Sequence, residues 1–201
     1  MQSVTPRRGR PRATTHQEVA SVALDLFARN GFETTTVGDI AAAIGIHRRT
    51  LFRYFPSKND IVWGDFDWVL ARLRVHLAEG KSDEPMIEVL RRAAVRSNSY
   101  PAAQLQELRI RMTLITTVPS LQAHSMLRYA AWRNVVAEFA ADRLGQEPDD
   151  LAPLALGYAA LGASMAAFSR WVANLGDDLE HDLDEAYALL EYGFRLPEKR
   201  P

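Results

Sequence analysis

The sequence predicts an all-α protein, on three observations. Apolar residues recur at three- and four-residue spacing in segment after segment, and no stretch shows the sustained apolar–polar alternation of a strand. Each segment is bounded by a capping residue, a glycine or a proline. The connections are short, as in helical bundles. A hydrophobic content of 47 % over 201 residues suffices for a sizeable core and excludes a disordered chain.

Taken in order, residues 1–14 read as a flexible basic arm: Arg7, Arg8, Arg10 and Arg12 are broken by Gly9 and Pro11, so no helix is expected. The arm is either a solvated tail or a segment that tracks phosphates or a minor groove. It has no apolar run after it and does not read as a secretory signal. A first helix runs from about His16 to Asn30, opened by a Thr15/Glu18 capping box and closed at Gly31. Val19, Val22, Ala23, Leu26 and Phe27 form its apolar face. A second starts at Thr35 or Thr36 and carries Val37, Ile40, Ala41 and Ile44, with Gly45 as a sharp turn. A third, from about His47 to Phe55, turns Leu51 and Phe55 inward. The fourth is expected to be one long helix from Lys58 to about Ala78, striped by Ile61, Val62, Phe66, Val69, Leu70, Leu73 and Leu77. Pro85 opens a fifth to Ser97, Pro101 a sixth to Thr116 and Pro119 a seventh to Leu144. An eighth spans about Pro148 to Leu175 and a ninth about Leu183 to Arg195.

Charge divides the chain. Residues 1–60 hold nine Lys/Arg against five Asp/Glu, a net of +4, whereas 61–201 hold 15 against 20, a net of −5. A basic head on an acidic body points to a polyanion partner for the head. The absence of cysteine excludes a thiolate sensor, a disulfide and a Cys-ligated metal, and fits a cytoplasmic location.

The stretch Thr35–Asp60 carries the function. Two short helices around a glycine turn, apolar inside through Val37, Ile40, Ile46, Leu51 and Phe55, form a helix–turn–helix whose second helix enters the major groove of DNA. Its outer face offers His47, Arg48, Arg49, Thr50, Arg53 and Tyr54 as donors.

The sequence here resembles the TetR (tetracycline-repressor) family of bacterial transcription regulators. The residues that carry the resemblance are Leu26–Phe27, Gly31–Phe32, Thr36–Val37, Ile40–Ala41, Gly45–Ile46, Thr50–Leu51, Tyr54–Phe55, Ser57–Lys58 and Asp60. The resemblance implies about nine helices: residues 15–57 as DNA-binding head, and 58–197 as ligand-binding and dimerisation domain. It implies that Arg48 and Arg49 reach base edges, where a bidentate arginine–guanine contact contributes about 1–3 kcal/mol of discrimination. Phe52 would touch a thymine methyl. Thr50, Arg53 and Tyr54 would contact phosphates, with Thr36 and Lys58 clamping the flanking backbone. His47 and Arg49 depart from the family, which prefers serine and a small residue there. Trp63, Gly64, Asp65, Phe66 and Asp67, in KNDIVWGDFD, are similar to the regulators associated with mycofactocin biosynthesis genes, a subgroup of that family.

In the body, Met86, Met112, Leu114, Met126, Trp132, Phe139, Met165, Phe168 and Trp171 are either plain core or the wall of an effector pocket, and Trp63 and Phe66 are either packing residues between head and body or further effector contacts. Arg109, Arg111, Arg128 and Arg133 are either exposed or placed to hold an anion at the pocket mouth. The subgroup resemblance suggests an acyl-CoA effector. Leu151–Ser169 is uncharged and long enough to span a membrane, but its content of alanine, glycine and Pro153 reads instead as a soluble helix interface. The resemblance makes the eighth and ninth helices a homodimer's four-helix bundle, suited to a palindromic operator of double-stranded DNA. The acidic residues between Asp177 and Glu185 are explained by a helix N-terminus without metal. The histidines are scattered, and no cofactor signature is present. A helical enzyme has no nucleophile elbow, phosphate loop or metal motif to support it. A helical adaptor that binds no DNA is the competing class.

Overall fold

Side-chain caps set the helix boundaries of the amino-terminal half. In the computed structural model, which describes residues 15–173 and 178–193, Thr15 opens α1 (His16–Asn30) with a reciprocal capping box. The Glu18 amide donates to its hydroxyl at 3.1 Å, and the Thr15 amide donates to the Glu18 carboxylate at 2.9 Å. Thr36 does the same for α2 (Val37–Ile44) with Asp39, and Ser57 caps α4 (Lys58–Trp63) through the Asp60 amide. Between them lies α3 (Arg48–Tyr54). These four helices form one unit, ending at Gly64. Val19, Ala20, Ala23, Leu24, Phe27, Ile40, Leu51 and Phe55 are buried in it. The buried face of α1 is thus turned slightly from the expected one: Ala20 and Leu24 go inside while Val22 and Leu26 stay half-buried.

The expected fourth helix is two helices. Gly64 takes φ 62°, ψ −143°, a backbone conformation side chains oppose, and Asp65 then caps α5 (Phe66–Ala78) by accepting the Trp68 amide at 3.1 Å. A glycine stop followed by an aspartate cap outweighs the apolar stripe that runs through both segments.

The second unit starts at Asp65. It contains α5, α6 (Met86–Ser97), α7 (Ala102–Thr117), α8 (Pro119–Leu144), α9 (Leu151–Ala173) and α10 (Leu179–Glu191). No strand occurs among the described residues. Helix α9 packs against both α8 and α10, and α10 in turn against α6, which pairs with α5. The α9–α10 contact centres on fully buried Tyr187, whose hydroxyl donates to the Ala160 carbonyl at 3.1 Å and lies 2.9 Å from the Ser164 hydroxyl. The α6–α10 contact is ionic: Arg91 grips Asp184 at 2.6 and 2.7 Å and reaches Glu191 at 3.2 Å.

Helix α10 begins four residues earlier than the sequence suggests, because Asp178 is the cap and Leu179, Leu183 and Tyr187 continue one buried ladder. Most of the acidic stretch therefore lies inside the helix. Asp182 is 2 % exposed with Arg170 Nε at 3.1 Å, a pairing by distance without hydrogen-bond alignment. Among the described residues no cluster suits a metal ion. Helix α9 is long and apolar enough to cross a membrane by length and composition. Its other side is exposed and apolar: Leu151, Ala155, Tyr158, Gly162 and Met165 follow one another at steps of four and three residues. The basic arm, the expected end of the eighth helix at Leu175 and that of the ninth at Arg195 lie outside the described residues.

Candidate nucleic-acid interface

Helices α2 and α3 meet at a turn that only a left-handed residue closes. Gly45 adopts φ 77°, ψ 30°, and the Ile46 amide donates to the Ala41 carbonyl at 3.0 Å. Leu51 and Phe55 are buried on the inner side of α3, which fixes what its outer side displays. His47, Arg48, Arg49, Phe52 and Arg53 are exposed, while Thr50 and Tyr54 are half-buried. Arg48 with Phe52 and Arg49 with Arg53 are four apart, so these side chains share one face.

That face is poorly arranged for the helix itself. No acidic residue occupies its first turn, and the N-cap His47 makes no side-chain cap. Two arginines near the positive helix end and a like-charge Arg49/Arg53 pair both cost stability. Among the described residues neither Arg48 nor Arg49 has a hydrogen bond or ion pair. Arg53 lies 5.9 Å from the Tyr54 ring.

The two expected backbone clamps are occupied within the fold. The Thr36 hydroxyl donates to the Asp39 carboxylate at 2.7 Å and accepts the Asp39 amide at 3.2 Å. These Thr36 hydrogen bonds hold the Asp39 carboxyl below its ordinary range. The Lys58 ammonium donates to the Phe32 and Thr35 carbonyls at 2.8 and 3.3 Å and sits 4.2 Å from the Phe32 ring, leaving one of its three protons for any phosphate. One residue of this unit escaped the sequence reading. His16 donates from Nε2 to the Tyr54 carbonyl at 3.1 Å, across 38 residues.

In the second unit the structure brings some of the expected effector residues together. Arg109 lies 4.2 Å from the Trp171 ring and donates to the Trp171 carbonyl, with Phe168 edge-on to the same ring. Arg128 lies 5.5 Å from the ring of buried Phe66. Met86, Met112 and Trp132 are half-buried on α6, α7 and α8, and Trp63 is half-buried at the end of α4, in the other unit. Arg111 pairs with Glu107 at 3.0 Å, and burial pushes its guanidinium below the ordinary arginine value. Arg133 stacks on Tyr158 at 4.2 Å. A depression of about 100 Å³ beside the α8–α9 connection is lined by Arg133, Ala137, Glu138, Asp149 and Leu154 among others; of the expected effector residues it contains Arg133 alone.

Residues 13–62 match the family model described as bacterial regulatory proteins, tetR family, and residues 84–195 match that of the MftR C-terminal domain. A Mycobacterium tuberculosis protein named mycofactocin biosynthesis transcriptional regulator MftR is 40 % identical over 187 residues, 93 % of this chain and 94 % of that one. The HTH-type transcriptional regulator TcmR of Streptomyces glaucescens is 30 % identical over 149 residues, 71 % of this chain and 66 % of that one. Among solved structures, Thermus thermophilus FadR in complex with lauroyl-CoA shares the fold at a TM-score of 0.59 and 24 % identity, covering 93 % of this chain and 99 % of that one. Bacillus halodurans FadR does so at a TM-score of 0.65 and 18 % identity, covering 90 % and 100 %.

Proposed function

Because this chain belongs to the TetR family of bacterial transcriptional regulators, with the carboxy-terminal domain of its MftR branch, we propose that it is a repressor. In this reading it binds a palindromic operator as a homodimer, leaves it when a small acyl-CoA-like effector binds, and controls mycofactocin biosynthesis genes. The family consists of regulators and not enzymes. The observation that carries the reading is the outer face of α3, where Arg48, Arg49, Phe52 and Arg53 stand exposed together on a helix whose own stability they do not serve. Arg48 and Arg49 read base edges, Phe52 meets a thymine methyl, and Thr50, Arg53 and Tyr54 contact phosphates. His47 starts the helix. Thr36 and Lys58 act mainly by fixing α2 and the loop before it, with the remaining Lys58 proton turned to a flanking phosphate. Residues 15–57 form the DNA-binding head, preceded by the basic arm, and 58–197 the effector and dimerisation domain. The site of action is the cytoplasm, where the chromosome is.

Two features support the remaining parts. The exposed apolar stripe of α9 has the four–three spacing that a second copy would cover. In the second unit, Phe66, Met86, Met112, Trp132 and Phe168 offer apolar side chains that suit an acyl chain, and Arg109 and Arg128 supply positive charge. The lauroyl-CoA in complex with the Thermus FadR, a protein of this fold, supports such an effector. The test is selection of duplex DNA from a randomised library by the full-length protein, followed by titration of the bound complex with acyl-CoAs of several chain lengths. Enrichment of a palindrome and its release by one chain-length class are expected. No enrichment would remove the DNA-binding reading, and no release at any length would remove the effector.

A further inference from the structure

The carboxy-terminal end of α3 is held by a residue thirty-eight positions away. Tyr54 is the last helical residue, so its carbonyl has no partner within α3. The His16 side chain comes from the first turn of α1 and lies 3.1 Å from that oxygen through Nε2. A carbonyl only accepts, so Nε2 carries the proton. The imidazole also stands edge-on to the Tyr54 ring at 5.0 Å and the Phe55 ring at 5.2 Å. Phe55 is buried and leaves the helix in an extended conformation, and its amide donates to the Leu51 carbonyl at 3.0 Å. The α3 helix is seven residues long with no side-chain cap at its start. A helix this short depends on its tertiary attachments for its conformation. The Gly45 turn attaches one end, and the His16 bond attaches the other.

We infer that His16 is a positioning residue for DNA recognition. It ties the last turn of α3 to α1 and so fixes the aim of Arg48, Arg49 and Phe52 without itself touching DNA. The inference rests on the proposal that α3 enters the major groove. A tether of this kind acts on specific binding, where side chains must meet base edges to within a fraction of an ångström. It leaves phosphate-driven, sequence-independent binding unchanged.

The experiment uses the full-length protein and a duplex that the wild type has enriched from a randomised library. A library without enrichment would defeat the DNA-binding proposal itself and is distinct from any outcome at His16. His16→Phe keeps ring edges against Tyr54 and Phe55 and removes the donor. It is expected to weaken binding to the enriched duplex about three- to tenfold, the scale of one neutral hydrogen bond. Binding to a scrambled duplex and the slope of log affinity against log salt stay unchanged. His16→Gln, whose amide N–H reaches the same carbonyl, restores most of the loss. Equal affinity of the wild type and His16→Phe for the enriched duplex would overturn the inference. So would a salt slope smaller by about one in His16→Phe, because His16 would then be a phosphate contact.

Discussion

In the second unit Arg91 holds Asp184 and Glu191, Arg170 holds Glu185, Arg92 holds Glu84, and Arg109 is stacked on Trp171. In the first, Arg48 and Arg49 stand on α3 with no partner among the described residues. The same side chain serves as a strut in the second unit, as Arg29 does with Asp25 on α1, and on α3 is left ready for an external anion. Local charge explains part of the difference. The second unit has acidic residues to spare, whereas the first turn of α3 has none. An unpaired guanidinium has five donors in a rigid fork, and a base edge or phosphate is the partner that geometry suits.

The largest expected break of this comparison is at α3. Arg48→Ala combined with Arg49→Ala should lower affinity for the enriched duplex at least about thirtyfold at constant salt, given roughly 1–3 kcal/mol for each base-reading arginine. Both side chains are exposed, so circular dichroism and the unfolding temperature should remain those of the wild type. Fluorescence anisotropy at fixed ionic strength measures the loss. Undiminished affinity would mean that the arginines of α3 are no more dedicated to DNA than those of the second unit are.

The exposed stripe of α9 gives the next test. A Cβ at Gly162 meets nothing within 4 Å, so Gly162→Arg fits the single chain, and replacing a helical glycine favours the helix by up to about 1 kcal/mol. If a second copy covers this face, the variant places a charge in its middle. Analytical ultracentrifugation should then show a folded monomer. Each monomer would then reach one half-site, and binding to a palindrome should fall to that of a single half-site. A variant that sediments as the wild type does would place any such interface elsewhere.

How much of this was legible in the sequence follows the range of each interaction. Caps are local, so Thr15 with Glu18 and Gly45 marked their helix ends, and the start of α2 was narrowed to Thr35 or Thr36. The outward aim of Arg48, Arg49, Phe52 and Arg53 follows from helical period once Leu51 and Phe55 are assigned inward. The break at Gly64 was written in Gly64–Asp65, but the apolar stripe from Ile61 to Leu77 argued for continuity and misled. The start of α10 was hidden in the same way, by six acidic residues of which Asp178 alone is the cap. Partners across the fold were not legible. Arg109 finds the carbonyl of Trp171 62 residues on, Arg91 finds Asp184 93 residues on, and His16 finds Tyr54 38 residues on. Such pairings depend on which helices pack together, and no short-range pattern encodes that.

The smallest expected effect comes from a strut and carries a pH signature. Arg91→Ala removes the α6–α10 clamp, whose three side chains are all partly exposed, so it should cost about 1 kcal/mol, the upper end for such pairs. The hydrogen bond from Arg91 holds the Asp184 carboxyl below its ordinary value of 3.8. A carboxyl with a depressed folded-state pKa adds stability that is complete above its unfolded value and is lost as pH falls through the folded one. The wild type should therefore lose this increment below about pH 4, and the wild-type and Arg91→Ala stability curves should converge there while differing near neutrality. Urea unfolding across that range measures both. Affinity for the enriched duplex, measured on folded protein near neutral pH, should not change in Arg91→Ala. A strut in the second unit is read through stability and its acid limb, whereas the arginines of α3 are read through DNA. A loss of affinity in folded Arg91→Ala would show that this clamp also bears on the DNA-binding unit.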